Sequence, residues 1–195
     1  MADENKVTFG LRNTHYAVIT ETEDGVTYGT PKPLKGSVEL GLEPNGDATE
    51  FYADDELYYS ADNNQGYNGT LNIATISEDF AQDCLGEEMD EDSGTLAEVA
   101  DAKPSAFALL FEFDGDQKAI RHVVYNCKAS RPNVGSSTKT TSSEPNTSEL
   151  TFKAKPTFFN GKRYVKNKTT LNSPEQLYNE WYDEVFIPGT AVGGA

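Results

Sequence analysis

Basic side chains are scarce in this sequence. Lysine and arginine together number 16 against 32 aspartates and glutamates, which gives a formal net charge of −16 over 195 residues. Affinity for nucleic acid comes largely from cationic side chains that displace counterions from phosphates. The charge balance therefore argues against a protein that binds DNA or RNA tightly.

Long apolar runs are also missing, and no stretch is long enough to cross a bilayer. Residues 1–6 carry no basic region followed by an apolar run, so the sequence predicts no signal peptide. We therefore expect a protein that is made and folded in a cytoplasm, without membrane contact. Residues 1–195 are interpreted as a single domain, because this length suffices for one full hydrophobic core.

Histidine and cysteine occur only twice each, which limits nucleophilic catalysis and metal binding. His15 and His122 lie inside strand patterns with no nucleophile motif nearby, so a structural role is expected for both. Cys84 and Cys127 are far apart, and neither histidine stands at ligand spacing to them, which argues against a zinc site. In a reducing compartment the two cysteines are predicted to be buried thiols.

Carboxylates are abundant but do not form a recognisable catalytic or metal motif. A glycosidase could draw its acid and base from Asp54, Asp55 or Glu56, yet consecutive carboxylates are more often a solvated face. Residues 88–93 resemble a calcium loop but lack its glycine, and the twelfth position would be Val99. No glycine loop suited to phosphate is present. The sequence therefore predicts no enzyme, no cofactor and no metal.

Alternating apolar and polar residues predict a mainly β protein. A central hairpin is predicted to turn at residues 114–116, and Asn160 and Gly161 favour a second, tight hairpin. The predicted strand segments are residues 7–11, 14–20, 26–28, 34–40, 67–76, 106–113, 118–129, 148–155 and 163–165.

Two short helices are predicted at capping signals. The first begins at Ser77 and ends at Gly86, with acidic residues in its first turn. The second begins with Ser173 as N-cap and Pro174 at the first helical position, and its apolar stripe is expected to pack on the protein's own sheet. That stripe consists of Leu177, Trp181 and Val185.

Four segments do not fit a compact core. Residues 43–66 form a long acidic, tyrosine-rich excursion that begins with a predicted turn at 43–46. Residues 87–94 are too charged to pack, residues 130–147 are a Ser- and Thr-rich loop predicted to be mobile, and residues 190–195 are a flexible tail.

The succession of these features resembles the major tail proteins of long-tailed bacteriophages, in particular the phi-thirteen-type group. The likeness spans nearly the whole chain. The segments that carry it are 6–11 leading into 16–18, 51–54 ahead of 69–71, the capped helix that ends at 85–86, the strand and turn at 107–116, and 124–127 ahead of 131–132.

The resemblance implies two packed antiparallel sheets, sandwich- or barrel-like, with a flanking helix and long loops. It also implies a structural subunit of the virion tail that forms six-membered rings, which stack into a tube for passage of the genome. Expected partners are other copies of the chain, the tape-measure protein and the tail terminator protein. DNA would pass without tight binding, and the excess of acid would either repel it from the lumen or solvate the outside.

Residues 43–66 occupy the place of the arm that contacts a neighbouring ring in this family. Aromatic side chains mixed with polar groups are also typical of subunit interfaces. The predicted contact residues are Phe51, Tyr52, Asp54, Asp55, Leu57, Tyr58 and Tyr59. Two alternatives stay open: the aromatic side chains cover the chain's own core, or the protein is a monomeric β-sandwich that binds carbohydrate or a partner protein through Tyr58, Tyr59 and Tyr67.

Overall fold

The computed structural model describes residues 5–22, 25–136, 138 and 145–190. The predicted mobile loop at 130–147 lies partly outside the described residues, and so does all of the predicted tail at 190–195 except its first residue. None of the described helices is long and apolar enough to span a bilayer.

The described chain is mainly β, as predicted. Its strands are β1 Thr8–Thr22, β2 Gly25–Tyr28, β3 Lys32–Pro33, β4 Ser37–Asn45, β5 Thr49–Ala53, β6 Glu56–Ala61, β7 Gly66–Ile73, β8 Glu87–Asp90, β9 Thr95–Glu98, β10 Phe107–Gly115, β11 Ile120–Ala129, β12 Ser148–Ala154, β13 Thr157–Phe159, β14 Lys162–Tyr164 and β15 Lys166–Lys168. Helix α1 spans Glu78–Phe80 and continues into a π-helical turn, Ala81–Leu85. Helix α2 spans Glu175–Asn179 and continues into a 3₁₀ turn, Glu180–Tyr182.

One antiparallel sheet of nine strands organises the molecule. Seven of its strands follow the order β2-β1-β10-β11-β12-β7-β4, while β15 also pairs with β11 and β3 with β1. The predicted central hairpin is confirmed as β10 and β11, which pair from Phe107 opposite Cys127 to Phe113 opposite Ile120. Three smaller hairpins, β5–β6, β8–β9 and β13–β14, stand outside this sheet.

The nine-stranded sheet curls so that its two halves face each other. Leu40 and Leu42 of the terminal strand β4 line the same cavity as Phe111 and Phe113 of β10, although three strands separate β4 from β10 in the sheet. Apolar side chains of β7, β10, β11 and β12 fill the space between the halves, together with Phe80. This is the sandwich-like architecture that was predicted.

A second core covers the opposite face of β10 and β11. Leu110, Val123 and Tyr125 pack there against Trp181 and Val185 of the C-terminal segment. Because the two cores cover both faces of β10, its side chains are buried at consecutive positions and not at alternate ones. The C-terminal stripe therefore packs on the protein's own sheet, as predicted.

The two helix predictions had different outcomes. Ser77 caps α1, since its hydroxyl accepts a hydrogen bond from the Phe80 amide, and Gly86 ends the π-helical turn in a left-handed conformation with φ 80°. The prediction that Ser173 caps α2 is wrong, because its hydroxyl instead accepts a hydrogen bond from the Thr170 amide at 2.8 Å. Because the Ser173 hydroxyl oxygen accepts this hydrogen bond within the preceding turn, it does not cap the amides of the first turn of α2.

Residues 87–94, predicted to be too charged to pack, form β8 and the turn that leads into β9. Glu87 pairs with Glu98 and Asp90 with Thr95, while almost all of the side chains stay at or near the surface. The Asp90 carboxylate accepts hydrogen bonds from the amides of Asp92 and Ser93 in the turn. Main-chain pairing therefore orders this segment without burying its charges.

Candidate assembly surface

The predicted excursion at 43–66 is largely a β-hairpin that projects from the sheet. Its first residues belong to β4, because Glu43 pairs with Asn68 of β7, so the predicted turn at 43–46 is wrong. Among the described strands, β5 and β6 pair only with each other. We call residues 46–65 the arm.

The base of the arm is a tight main-chain contact. The Gln65 amide donates a hydrogen bond to the Asn45 carbonyl at 2.9 Å. Gly46 has φ 131°, and a Cβ at this position would lie 1.8 Å from the Asn63 carbonyl oxygen. Gly66 is equally constrained, since its Cβ would lie 1.9 Å from the Ala154 carbonyl oxygen of β12. Glycine at both positions therefore lets main-chain segments approach this closely at the base of the arm.

The tip of the arm is a two-residue turn. Asp54 and Asp55 have φ angles of 53° and 62°, which fit the type I′ turn that suits a twisted hairpin. Short acidic side chains tolerate this left-handed conformation better than most residues. Both aspartates therefore have a structural reason to stand where they do, apart from any contact role.

The side chains of the arm are exposed on both faces of the hairpin. Phe51 and Tyr52 are neighbours on β5 and so point to opposite faces, yet they are 57% and 61% exposed. Tyr58 is 75% exposed at a β-bulge between the pairs Phe51–Tyr59 and Tyr52–Leu57. The alternative in which these aromatic side chains cover the chain's own core is therefore wrong.

The arm is acidic throughout. It contains six carboxylates and no lysine or arginine. Among the described residues, no arm carboxylate forms an ion pair with a cation of the same chain. The carboxylates are Asp47, Glu50, Asp54, Asp55, Glu56 and Asp62.

The stacking surface of the alternative binding module is not formed by its three tyrosines together. Tyr58 and Tyr59 lie on the arm, whereas Tyr67 lies at the start of β7 and packs partly against the first core. The Lys166 ammonium stands 4.5 Å above the Tyr67 ring and covers it. Of these three rings, Tyr58 and Tyr59 are open to solvent.

The polar side chains inside the body serve structural contacts. Glu112 is buried and accepts hydrogen bonds from Asn13, Arg121 and Tyr182, which ties the C-terminal segment to the sheet. Asp83 likewise accepts hydrogen bonds from Tyr16 and Lys32. Within the described residues, no cluster of three or more histidine, cysteine or acidic side chains could hold a metal.

The two cysteines are buried thiols, as predicted, and both histidines contact aromatic rings. His122 stacks on Phe111 at 5.0 Å, and burial, helped by nearby lysines, lowers its pKa to about 4. His15 contacts the Tyr182 ring at 4.6 Å. Cys84 and Cys127 are buried and unpaired, and burial raises the pKa of the Cys84 thiol to about 12. A thiol with so high a pKa is a poor nucleophile at neutral pH.

Comparison with known proteins finds resemblance in structure rather than in sequence. Neither a protein-family profile nor a curated protein sequence matches the chain. Similar solved structures include the tube-terminating cap of the anti-feeding prophage, with a TM-score of 0.45 and 12% identity over 87% of this chain and 97% of that one. Another is a chain of the sheath-tube complex of the extracellular contractile injection system PVC in its extended state, with a TM-score of 0.45 and 12% identity over 85% and 94%.

Proposed function

We propose that this protein is a structural subunit of a phage tail tube and that it self-assembles through the arm. The observation that carries the proposal is the projecting hairpin, which exposes large apolar side chains on both faces. Burying one such side chain stabilises a contact by about 1.5–3 kcal/mol. These side chains are Phe51, Tyr52, Leu57, Tyr58 and Tyr59.

The base of the arm favours binding by a preformed element. The hydrogen bond from the Gln65 amide to the Asn45 carbonyl and the close main-chain approach at Gly46 join the two ends of the arm before a partner arrives. A preorganised binding element loses less conformational entropy on association than a free loop does. The proposed role of the arm is to contact a neighbouring subunit, with its aromatic side chains as anchors and Asp54 and Asp55 shaping the tip.

The full proposal follows the sequence resemblance. Subunits form hexameric rings, the rings stack into a tube, and DNA passes through the tube without tight binding. The tape-measure and tail terminator proteins are the proposed heterologous partners, and the finished protein resides in the virion tail. Its residues act by contact rather than by reaction.

Electron microscopy of the purified protein at rising concentration tests this proposal. We expect rings or hollow tubes from the natural chain. The double variant Tyr58→Ala/Tyr59→Ala should assemble poorly and keep its thermal midpoint, because both rings are exposed in the monomer. The control Phe9→Ala, which removes another exposed ring, should assemble normally. A natural chain that stays monomeric at every concentration contradicts the proposal and favours the binding module.

A further inference from the structure

Positive charge is concentrated in one part of the chain. Residues 150–174 contain six lysines and arginines and no aspartate or glutamate, in a protein with a net charge of −16. The arm has the opposite composition, with six carboxylates and no cation. Two elements of the same chain thus carry separated charges of opposite sign.

The fold gathers four of these cations around the hairpin β13–β14. Just after β12, the Lys155 amide donates a hydrogen bond to the Asn126 carbonyl of β11, and just before β15, the Val165 carbonyl accepts one from the Tyr125 amide of β11. Both ends of the hairpin segment therefore lie beside adjacent residues of β11. We call residues 155–166 the basic hairpin. Its cations are Lys155, Lys162, Arg163 and Lys166.

The basic hairpin is held firmly and presents an open outer face. Buried Phe159 fixes it to the second core, with its ring 5.1 Å from that of Tyr125. Asn160 at the turn donates a hydrogen bond to the Pro188 carbonyl at 2.9 Å. Phe158 points away from the core, is 66% exposed and stands opposite exposed Arg163. The outer face therefore combines an apolar ring with positive charge.

The charges of both elements lack a partner of opposite charge among the described residues, although Lys166 covers the Tyr67 ring and Glu50 accepts a hydrogen bond from Tyr52. All four cations of the basic hairpin are exposed, and among the described residues none forms an ion pair. The same holds for the arm carboxylates. The arm presents exposed aromatic rings with negative charges, and the basic hairpin presents an exposed aromatic ring with positive charges. The two surfaces are therefore complementary, as the two sides of an interface must be.

We propose that the basic hairpin of one copy receives the arm of a second copy of this chain. This inference rests on the proposed self-assembly and names the surface that the arm contacts. A symmetric pairing of arm on arm, or of basic hairpin on basic hairpin, would bring like charges together. The contact therefore joins two different surfaces, and such a head-to-tail contact continues from copy to copy into rings or stacks.

Charge reversal tests the pairing. The arm-reversed variant is Glu50→Lys/Glu56→Lys, which avoids the left-handed positions at the tip. The hairpin-reversed variant is Lys162→Glu/Arg163→Glu. Each variant alone brings like charges together, so its assembly should require a protein concentration higher by on the order of tenfold or more. Sedimentation velocity measures this shift.

Mixing the two variants shows whether a reversed variant fails to assemble because its charges no longer pair or because it no longer folds. An equimolar mixture of the two variants should co-assemble, because each arm then meets a hairpin of opposite charge. The chain that carries all four substitutions should assemble alone. Assembly of the natural chain should weaken with rising salt, as screening predicts. Control pairs with the same change of net charge, Lys35→Glu/Lys103→Glu and Glu88→Lys/Glu91→Lys, should assemble normally.

The outcomes distinguish this inference from the proposed function. If the natural chain forms tubes and the reversed variants do so equally well, the arm contacts another surface and the inference is overturned, while the proposed function stands. A mixture that fails to co-assemble, or controls that lose assembly equally, overturns it as well. If Lys162→Glu/Arg163→Glu removes binding of short duplex DNA and leaves assembly unchanged, the basic hairpin binds nucleic acid and not the arm, and the inference is overturned. A natural chain that never assembles overturns both proposals.

Discussion

Glu112 shows how single buried residues hold this fold together. The side chain is only 7% exposed, and Arg121, itself 17% exposed, donates a hydrogen bond to it at 3.1 Å. The Arg121 guanidinium also lies 3.9 Å from the Tyr178 ring centre and donates a hydrogen bond to the Tyr178 carbonyl. One ion pair thus connects β10, β11 and the C-terminal helix. Removing either partner would leave the other buried charge without its counter-charge.

His122 predicts a specific pH dependence of stability. Its pKa is about 4 in the folded chain against an ordinary 6.5, because burial and then Lys168 and Lys166 disfavour the charged form. Between these values the unfolded chain binds a proton that the folded chain does not, so the free energy of unfolding falls as pH drops through this window. The loss should reach about 3 kcal/mol near pH 4.

Denaturant unfolding at several pH values measures this effect. The variant His122→Gln should lose the His122 contribution, so the difference between natural chain and variant should shrink as pH falls from 6.5 to 4. Lys166→Gln/Lys168→Gln should raise the pKa of His122 in the folded chain, so that the pH range over which stability is lost becomes narrower. A difference that is constant over this range would contradict the prediction.

At the scale of elements, two acidic segments became hairpins because strand pairing does not require burial. β5–β6 and β8–β9 satisfy their amides and carbonyls against each other while their carboxylates stay in water. The sequence shows this poorly, since periodicity reports burial of side chains and these strands bury few. The turn residues Asp54 and Asp55 were the available signal, because paired aspartates tolerate left-handed turns.

The arm is expected to be the least protected hairpin of the monomer. The hairpin is formed in the monomer, but among the described strands β5 and β6 pair only with each other and their side chains are largely exposed, so the hairpin opens locally and transiently at low cost. Amides of residues 51–59 should therefore exchange fast in the monomer and slowly after assembly. Hydrogen exchange compares the two states, with β7 as the internal reference that stays protected in both. Full protection of the arm in the monomer would contradict its dependence on a partner.

At the scale of the whole molecule, the acidity bears on the proposed conduit. A tube wall of the same charge sign as DNA gives the moving strand nothing to bind, whereas cationic side chains would hold phosphates. Assembled tubes should show negative potential along the inner wall and retain no short duplex DNA at low salt, where attraction is strongest. Filter retention of labelled duplex measures this. Tubes that hold duplex, or an inner wall ringed by Lys153, Lys155, Lys162 and Arg163, would contradict it.

Local signals in the sequence determined much of this structure. The central hairpin β10–β11, the tight turn at Asn160 and Gly161, the capped helix from Ser77 to Gly86 and the mainly β class all follow from residue patterns that act over a few positions. The aromatic, acidic arm was also located from sequence. Its contact role stays a prediction, since it concerns a second chain.

Only the tertiary structure decided where these elements meet. Whether the aromatic side chains of the arm cover the core or face solvent depends on how β4 and β7 direct the arm, and Gly46 and Gly66 control that through contacts with distant main chain. The sequence already groups the cations of the basic hairpin, but its two ends, Lys155 and Lys166, lie beside each other only because β11 pairs with both β12 and β15. Such facts depend on non-local pairing, which residue patterns over a few positions do not encode.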